Sequence, residues 1–207
     1  MTNASPETKP RGSRLPRDAR RAQLLKVALH VFVDQGYHAA SMDDIADRAG
    51  VSKPVLYQHF PGKLELYLAL LETSADTVIS SVRKALASTE NNKERVTATI
   101  GVFFDYVNDS TAAFRLVYES DLTNEPLVSE QLDRVTNELA GAIANVIHQD
   151  TNLPDEASEL LAVSLVGIGQ VAATYWLNEA QTLTKDEAVG FVSTLAWRGI
   201  GGFPRNE

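Results

Sequence analysis

Cysteine is absent from the 207-residue sequence, and this absence excludes several classes of site at once. Without a thiol, the chain cannot build a disulfide framework, a zinc–thiolate site, an iron–sulfur cluster or a cysteine nucleophile. The polar stretch over residues 1–14 lacks the apolar segment of a signal peptide, so we expect a cytoplasmic protein. Strand-like alternation and hairpin signals are also missing, which favours an all-α fold.

Recognisable catalytic or metal-binding patterns are missing as well. The histidines are scattered at His30, His38, His59 and His148, and none belongs to an HExxH pair. The segment Ser164–Gly167 lacks the strand-turn-helix setting of a nucleophile elbow. Because catalysis needs a convergent set of titratable groups, the sequence predicts a protein that is not an enzyme and needs no metal or cofactor.

One charge-free run, Leu160–Leu177, has the minimum length for a helix that crosses a bilayer. It contains glycine, serine, glutamine and threonine, and it is flanked by Glu159 and Glu179 rather than by basic and aromatic residues. We therefore expect no membrane contact. The run is better explained as a helix buried all round, in a core or in a subunit interface.

Charge is divided unevenly along the chain, although the total is only −8. Residues 1–63 carry ten basic and six acidic side chains, whereas the remainder carries nine basic and twenty-one acidic ones. A basic amino-terminal part on an acidic body suggests contact with a polyanion. Residues 1–16 contain three prolines and a glycine, a composition typical of a flexible arm.

Helical signals dominate from residue 17 onward. Apolar residues at helical spacing over Leu24–Phe32 predict a first helix. Ser41 is placed to cap a short second helix that ends at Gly50, and Ser52 is placed to cap a short third one. A long helix follows from Lys63. Two short helices around a glycine turn form a helix-turn-helix unit, whose second helix is about 11–12 Å long and fits the major groove of B-DNA.

Five short stretches between Arg20 and Leu66 resemble the DNA-binding domain of the TetR family of bacterial transcriptional regulators. The similarity covers nearly fifty residues at the family's spacing, which is more specific than a lone helix-turn-helix pattern. The matching stretches are Phe32–Tyr37, Ser41–Ala46, Ala49–Lys53, Leu56–Phe60 and Lys63–Leu66.

This resemblance implies an all-α protein with two parts. Residues 17–63 would form a three-helix helix-turn-helix head that binds double-stranded DNA, preceded by a flexible basic arm over 1–16. Residues 64–207 would form a helical ligand-binding and dimerisation body. The chain would then be a ligand-responsive regulator that binds a palindromic operator as a homodimer. Repression by promoter occlusion is the expected mode, and activation stays open.

The resemblance also assigns roles in the head. Residues expected to bind phosphates are Ser41, Ser52, Tyr57, His59 and Lys63. Residues expected nearest the base edges are Lys53, Pro54 and Val55, with Gln58 and Met42 close to them. The arginines that precede or open the first helix would enter the minor groove or neutralise phosphates, unless the arm is an ordinary solvated tail; they are Arg11, Arg14, Arg17, Arg20 and Arg21. We interpret Asp43, Asp44 and Asp47 as capping residues and solvated faces, because they would repel phosphate.

For the body, the resemblance implies an effector pocket. The candidate lining residues are Phe103, Phe104, Val107, Phe114, Tyr118, Leu139, Ile143, Ile168, Tyr175 and Trp176, most of which must also fill the core. Such a cavity is largely apolar, which favours an acyl-CoA or another lipid-like effector. The segment Leu195–Pro204 resembles actinobacterial TetR-type regulators of lipid metabolism. A regulator of efflux that responds to hydrophobic drugs is the alternative.

For dimerisation, the sequence favours the last two helices, over 154–178 and 184–200, arranged as an isologous four-helix interface. The candidate interface residues are Leu161, Leu165, Gly169, Val171, Ala172, Val189, Val192 and Leu195. The alternative is that small residues serve packing within one chain. A helical scaffold protein without DNA binding is the competing functional class.

Overall fold

The computed structural model describes residues 15–109, 116, 122, 124–180 and 182–199. These residues form helices and connecting turns without any strand, which confirms the all-α prediction. Arg14, Phe114, Tyr118 and the end of the segment 195–204 lie outside the described residues. The helices, numbered in chain order, are α1 Arg17–Ala39, α2 Met42–Ala49, α3 Lys53–His59, α4 Lys63–Ala87, α5 Asn92–Asp109, α6 Pro126–Thr151, α7 Asp155–Glu179 and α8 Lys185–Arg198.

Both ends of α2 form as the sequence predicts, whereas the predicted cap of α3 does not form. Ser41 Oγ accepts the backbone N–H of Asp44 at 3.0 Å and so caps α2. Gly50 ends α2 with a φ of 64°, a left-handed conformation that favours glycine. Ser52 precedes α3 without forming a capping hydrogen bond among the described residues. Ser41 therefore fixes the start of α2, and Gly50 forms the turn that leads to α3.

Helix α4 connects two separate hydrophobic cores. Its first half, including Leu66 and Leu70, is buried in a head core with α1, α2 and α3. Its second half, including Val78 and Val82, is buried in a body core with α5 to α8. Over 25 residues the helix is about 37 Å long at 1.5 Å per residue. Head and body therefore share one continuous helix rather than a loop.

In the body, α5 packs against α4, α7 and α8, while α6 packs against α4 and α7. The close approach of α5 and α7 depends on Gly169, because a Cβ atom at this position would lie 2.6 Å from the ring of Phe103. Helix α8 begins with a complete capping box between Thr184 and Glu187, and these hydrogen bonds hold the pKa of the Glu187 carboxyl below its usual value.

Helix α7 is apolar but largely uncovered in a single chain. By length and composition alone it could cross a membrane, since an 18-residue window has a mean hydropathy of 1.6, yet only 22% of that window is buried. Within a single chain the helix is therefore not buried all round, and its burial in a subunit interface stays a prediction. One face packs on the body core, and the other exposes Leu160, Val171 and Tyr175.

Candidate DNA interface and effector cavity

The outward face of α3 carries four of the side chains that the sequence assigns to DNA. Lys53, Pro54 and Gln58 are exposed, and Tyr57 is 47% exposed. On the opposite face, Leu56 is completely buried in the head core. Val55 and His59 are half-buried at the sides of the helix. Apolar contacts thus hold α3 in place while its polar face points away from the core.

Lys53 is paired with a residue that the sequence analysis interprets differently. Its ammonium donates a hydrogen bond to Asp43 Oδ2 at 2.6 Å, and both side chains are exposed. This bond, more than the nearby charge of Asp47, raises the pKa of Lys53 above its usual value. Asp44 is the acidic residue that takes part in capping α2. Asp43 is instead the direct partner of the expected base-reading lysine.

The ammonium group of Lys63, which the sequence assigns to phosphate, is directed at backbone carbonyls of the head. Its ammonium donates to the backbone carbonyls of Tyr37 at 2.8 Å, His38 at 3.3 Å and Ala40 at 2.9 Å. It also lies 4.4 Å from the centre of the Tyr37 ring. An ammonium has three protons to donate, and here all three are directed at the end of α1. Lys63 therefore fastens the start of α4 to the end of α1.

Two other residues expected at the DNA are used by the fold. Met42 is only 8% exposed and belongs to the head core, because the first turn of α2 faces α1. The hydroxyl of Ser41 accepts from the backbone of Asp44 and donates to its carboxylate at 2.7 Å. Ser52, by contrast, is exposed. Ser52 therefore stays a candidate for DNA contact, whereas the side chains of Ser41 and Met42 are engaged within the head.

A basic edge runs along the first turns of α1 beside α3. Arg17, Arg20 and Arg21 all contribute positive charge near His59; together with burial, which is the largest cause, they lower the pKa of His59 below its usual value. Arg21 lies over the Phe60 ring at 4.5 Å. All three belong to the arginines that the sequence predicts near DNA. Their i, i+3, i+4 spacing places them on one face of α1.

The body contains a cavity of about 430 Å³ enclosed by the end of α4 together with α5, α6, α7 and α8. Its wall is mostly apolar, and the branched side chains that dominate it are Val96, Ile100, Ile143, Ile147, Leu165 and Ile168. A concave, largely apolar site with a few polar groups is the usual form of a small-molecule pocket. This cavity is therefore the candidate effector site.

Arg95 forms the polar end of the cavity and connects three helices. Its Nε donates to the carbonyls of Leu86 at 3.1 Å and Thr89 at 2.8 Å, at the end of α4. Its Nη1 donates to Asn92 Oδ1 and to Asp150 Oδ2, both at 2.9 Å. Asp150 lies on α6, so this guanidinium ties the carbonyl of Leu86 in the last turn of α4, and that of Thr89 just beyond the helix, to α6.

Thr99 adds an unpaired polar atom to the same wall. Its side chain is 7% exposed, and its Oγ1 has no hydrogen-bond partner among the described residues. A buried hydroxyl without a partner costs free energy, and a ligand atom in the cavity can satisfy it. Residues Asn92, Arg95, Val96, Thr99 and Ile100 lie at i, i+3, i+4, i+7 and i+8, a pattern through which sequence reasoning could have found this face of α5.

The predicted pocket residues fall into three groups. Ile143 and Ile168 line the cavity. Tyr175 is exposed, and Trp176 donates from Nε1 to the carbonyl of Leu183 at 2.9 Å. The buried core, away from the cavity wall, holds Phe103, Phe104, Val107 and Leu139. Large aromatic side chains fill the crossing of α5 with its neighbours, and the cavity opens instead where α5 and α6 carry smaller branched residues.

The predicted interface residues are also divided. Leu161, Val171 and Leu195 are exposed, and Gly169 is buried against Phe103 within the same chain. The half-buried members, which pack on the body core, are Leu165, Ala172, Val189 and Val192. Five further apolar side chains that α7 and α8 expose are not among the predicted interface residues, namely Leu160, Val163, Tyr175, Phe191 and Trp197.

Comparisons with known proteins agree with this architecture. Residues 24–70 match the family described as bacterial regulatory proteins, tetR family, and residues 92–199 match the family described as tetracyclin repressor-like, C-terminal domain. The HTH-type transcriptional activator FasR of Mycolicibacterium smegmatis is 47% identical over 194 residues, covering 94% of this chain and 89% of the relative. The resemblance and the prediction of a protein that is not an enzyme are confirmed.

Solved structures show the same fold. A TetR-like transcriptional regulator from Rhodococcus sp. RHA1 has a TM-score of 0.73 and 28% identity, covering 92% of this chain and 100% of that one. The regulator FadR from Bacillus subtilis, solved in complex with stearoyl-CoA, has a TM-score of 0.70 and 20% identity, covering 86% of this chain and 98% of that one. At this identity the FadR similarity shows the fold alone.

Proposed function

Because the chain belongs to the TetR family of bacterial transcriptional regulators, we propose that it binds a palindromic operator as a homodimer and changes its DNA occupancy when an apolar effector enters the body. The observation that carries this proposal is the exposed polar face of α3 on a buried apolar scaffold. It would act on DNA in the cytoplasm.

In this proposal, phosphate contacts position the head and base contacts provide specificity. Tyr57, Ser52 and His59 bind phosphates from α3, and Arg17 adds charge from the basic edge of α1. The side chains that face base edges are Lys53, Pro54, Val55 and Gln58. Support comes from the three arginines near His59 and from the exposure of four of these side chains on α3 or just before it, Ser52, Lys53, Tyr57 and Gln58.

The dimer that we propose is formed by the exposed apolar faces of α7 and α8. Val171 is 67% exposed in the middle of an apolar helix, and a second copy of the same face would cover it. Two helices from each subunit then form a four-helix interface. The interface must hold two α3 helices about 34–36 Å apart to reach successive major grooves.

For the effector we propose an acyl-CoA or another lipid-like molecule with one polar group. The apolar wall of the cavity suits an acyl chain, while Thr99 and Arg95 offer a hydroxyl and a guanidinium at its polar end. FadR, a protein of the same fold, is known in complex with stearoyl-CoA. Occupancy would act on α4, because Arg95 holds the carbonyl of Leu86 in the last turn of that helix.

The direction of regulation follows from where the operator lies relative to the promoter. Promoter occlusion gives repression, the mode expected from the sequence. The FasR relative is an activator, so we propose activation as the direction to test first, with a reporter under the selected operator.

The experiment that tests the proposed function selects bound duplexes from a random pool, with and without a panel of acyl-CoAs and hydrophobic drugs. We expect a two-fold symmetric site, salt-dependent binding, and a shift in affinity caused by acyl-CoAs rather than by drugs. Thr99→Val keeps the shape of the side chain and removes the unpaired hydroxyl. It should lower the affinity for the effector and leave the DNA affinity of the effector-free protein unchanged. Binding without salt dependence or symmetry would favour a scaffold protein.

A further inference from the structure

Asp43 and Lys53 form an exposed ion pair on the side of the head that carries the outward face of α3. Lys53 Nζ and Asp43 Oδ2 are 2.6 Å apart, although they come from different helices. The capping of α2 is completed by Ser41 and Asp44, so it does not require Asp43. The pair needs another explanation, since a carboxylate next to DNA repels phosphates and lowers general affinity for the duplex.

The pair offers a definite pattern of hydrogen-bonding groups. An ionised carboxylate only accepts hydrogen bonds, and an ammonium only donates them. In the major groove, a C·G pair presents the guanine acceptors N7 and O6 next to each other, followed by the N4 amino donor of cytosine. In a T·A pair, the donor on adenine lies between two acceptors instead, and a methyl group lies beside them. An ammonium beside a carboxylate therefore complements the edge of C·G best.

We propose that Asp43 and Lys53 act as one unit that reads a single C·G base pair in each half of the operator. Lys53 donates to guanine O6 and N7, and Asp43 accepts from cytosine N4 while it holds the lysine in place. Thymine at the cytosine position is rejected, because its O4 acceptor would face the carboxylate. This inference rests on the proposed operator binding and adds Asp43 as a specificity-determining residue.

The test compares the motifs that four proteins select from a random duplex pool: the unaltered chain, Asp43→Ala, Lys53→Met and Asp34→Ala. Asp34 is the matched control, since it is also an exposed acid of the head and pairs with Arg48 at 3.6 Å. We expect one C·G pair per half-site in the unaltered motif. Asp43→Ala and Lys53→Met should both lose discrimination at that same pair, by about tenfold or more, while Asp34→Ala keeps it.

Other results would overturn the inference. If Asp43→Ala keeps the motif and only binds all duplexes more tightly with a steeper salt dependence, the carboxylate is a general repulsive charge and reads nothing. Loss of discrimination at different base pairs in the two variants would also contradict a single unit. If Asp43→Ala fails to fold, Asp43→Asn keeps the shape and should move the preference away from C·G; an unchanged preference rejects the proposal. If the unaltered chain selects no symmetric motif, the proposed function itself fails.

Discussion

The head and the body of this protein complete their packing in different ways. In the head, the apolar residues of α1, α2 and α3 are buried by one another, by the first half of α4 and by Val128 of α6, and the exposed side chains are mostly polar. In the body, α7 and α8 leave Leu160, Val171, Phe191 and other apolar side chains exposed. The head buries its apolar residues within its own chain, whereas the body presents an apolar surface that a second copy would cover in the proposed dimer.

The largest effect is expected from a charge placed in the uncovered face of the body. Val171→Glu should give a monomer, since an isologous contact would bring two buried carboxylates together. Operator affinity should fall about a hundredfold or more, because two linked heads bind far more tightly than one. Sedimentation and DNA titration measure both quantities. Leu127→Glu, at an exposed leucine on α6, is the control. A Val171→Glu protein that remains dimeric would refute the proposed interface.

A packing defect confined to the body comes next. Gly169→Ala places a methyl group against the Phe103 ring, so the free energy of unfolding should fall by about 1–3 kcal/mol. Gly141→Ala on α6 meets nothing within 4 Å and should stabilise its helix by up to about 1 kcal/mol. Chemical denaturation measures both changes. Equal stability of the two variants would mean that α5 and α7 can separate without cost.

Removing the hydrogen bonds between Lys63 and the end of α1 should change the stability of the head by a smaller amount. Lys63→Met leaves the carbonyls at the end of α1 without their donor, which we expect to cost about 1–2 kcal/mol of unfolding free energy. The salt dependence of operator binding should stay the same, because the ammonium protons are already donated to backbone carbonyls of the head. If the slope of log affinity against log salt concentration falls by about one, Lys63 binds a phosphate after all. Lys26→Met, at an exposed lysine of α1, serves as the control.

The smallest effect concerns pH and the basic edge of the head. Burial and the three neighbouring arginines hold the pKa of His59 below its usual value, so the unfolded chain binds more protons there than the folded one. Stability should therefore fall as the pH drops below about 6.5, the usual pKa of histidine. His59→Gln should show a shallower fall between pH 7 and pH 5 in urea unfolding. Parallel curves for the two proteins would contradict this prediction.

The sequence predicts the head better than the body, and the reason is physical. Ser41 and Gly50 act through neighbours a few residues away, and the stripe over Leu24–Phe32 needs only helical periodicity, so local patterns contain that information. The role of Lys63 depends on the end of α1 reaching the start of α4, which lies 25 residues away along the chain from His38. No local pattern indicates that approach.

The sequence predicts a cavity in the body but only two of the side chains that line it, for a related reason. Aromatic residues such as Phe103 suggest a pocket by their chemistry, yet they fill space and close it. A cavity is a place where helices diverge, and its position depends on how α5, α6 and α7 cross. The polar residues at its end, Arg95 and Thr99, look like ordinary surface residues in the sequence. Only the assembled fold brings Arg95 against Asp150 and leaves Thr99 unpaired.

The continuity of α4 has a practical consequence for protein engineering. The helix contributes Leu71 to one core and Ala75 to the other, so the change from one to the other falls near Thr73, well past the start of the helix. A hybrid regulator that joins this head to a foreign body should therefore be spliced within α4, near Thr73. The junction must preserve the angular phase of the helix, because one inserted residue would rotate everything beyond it by about 100°.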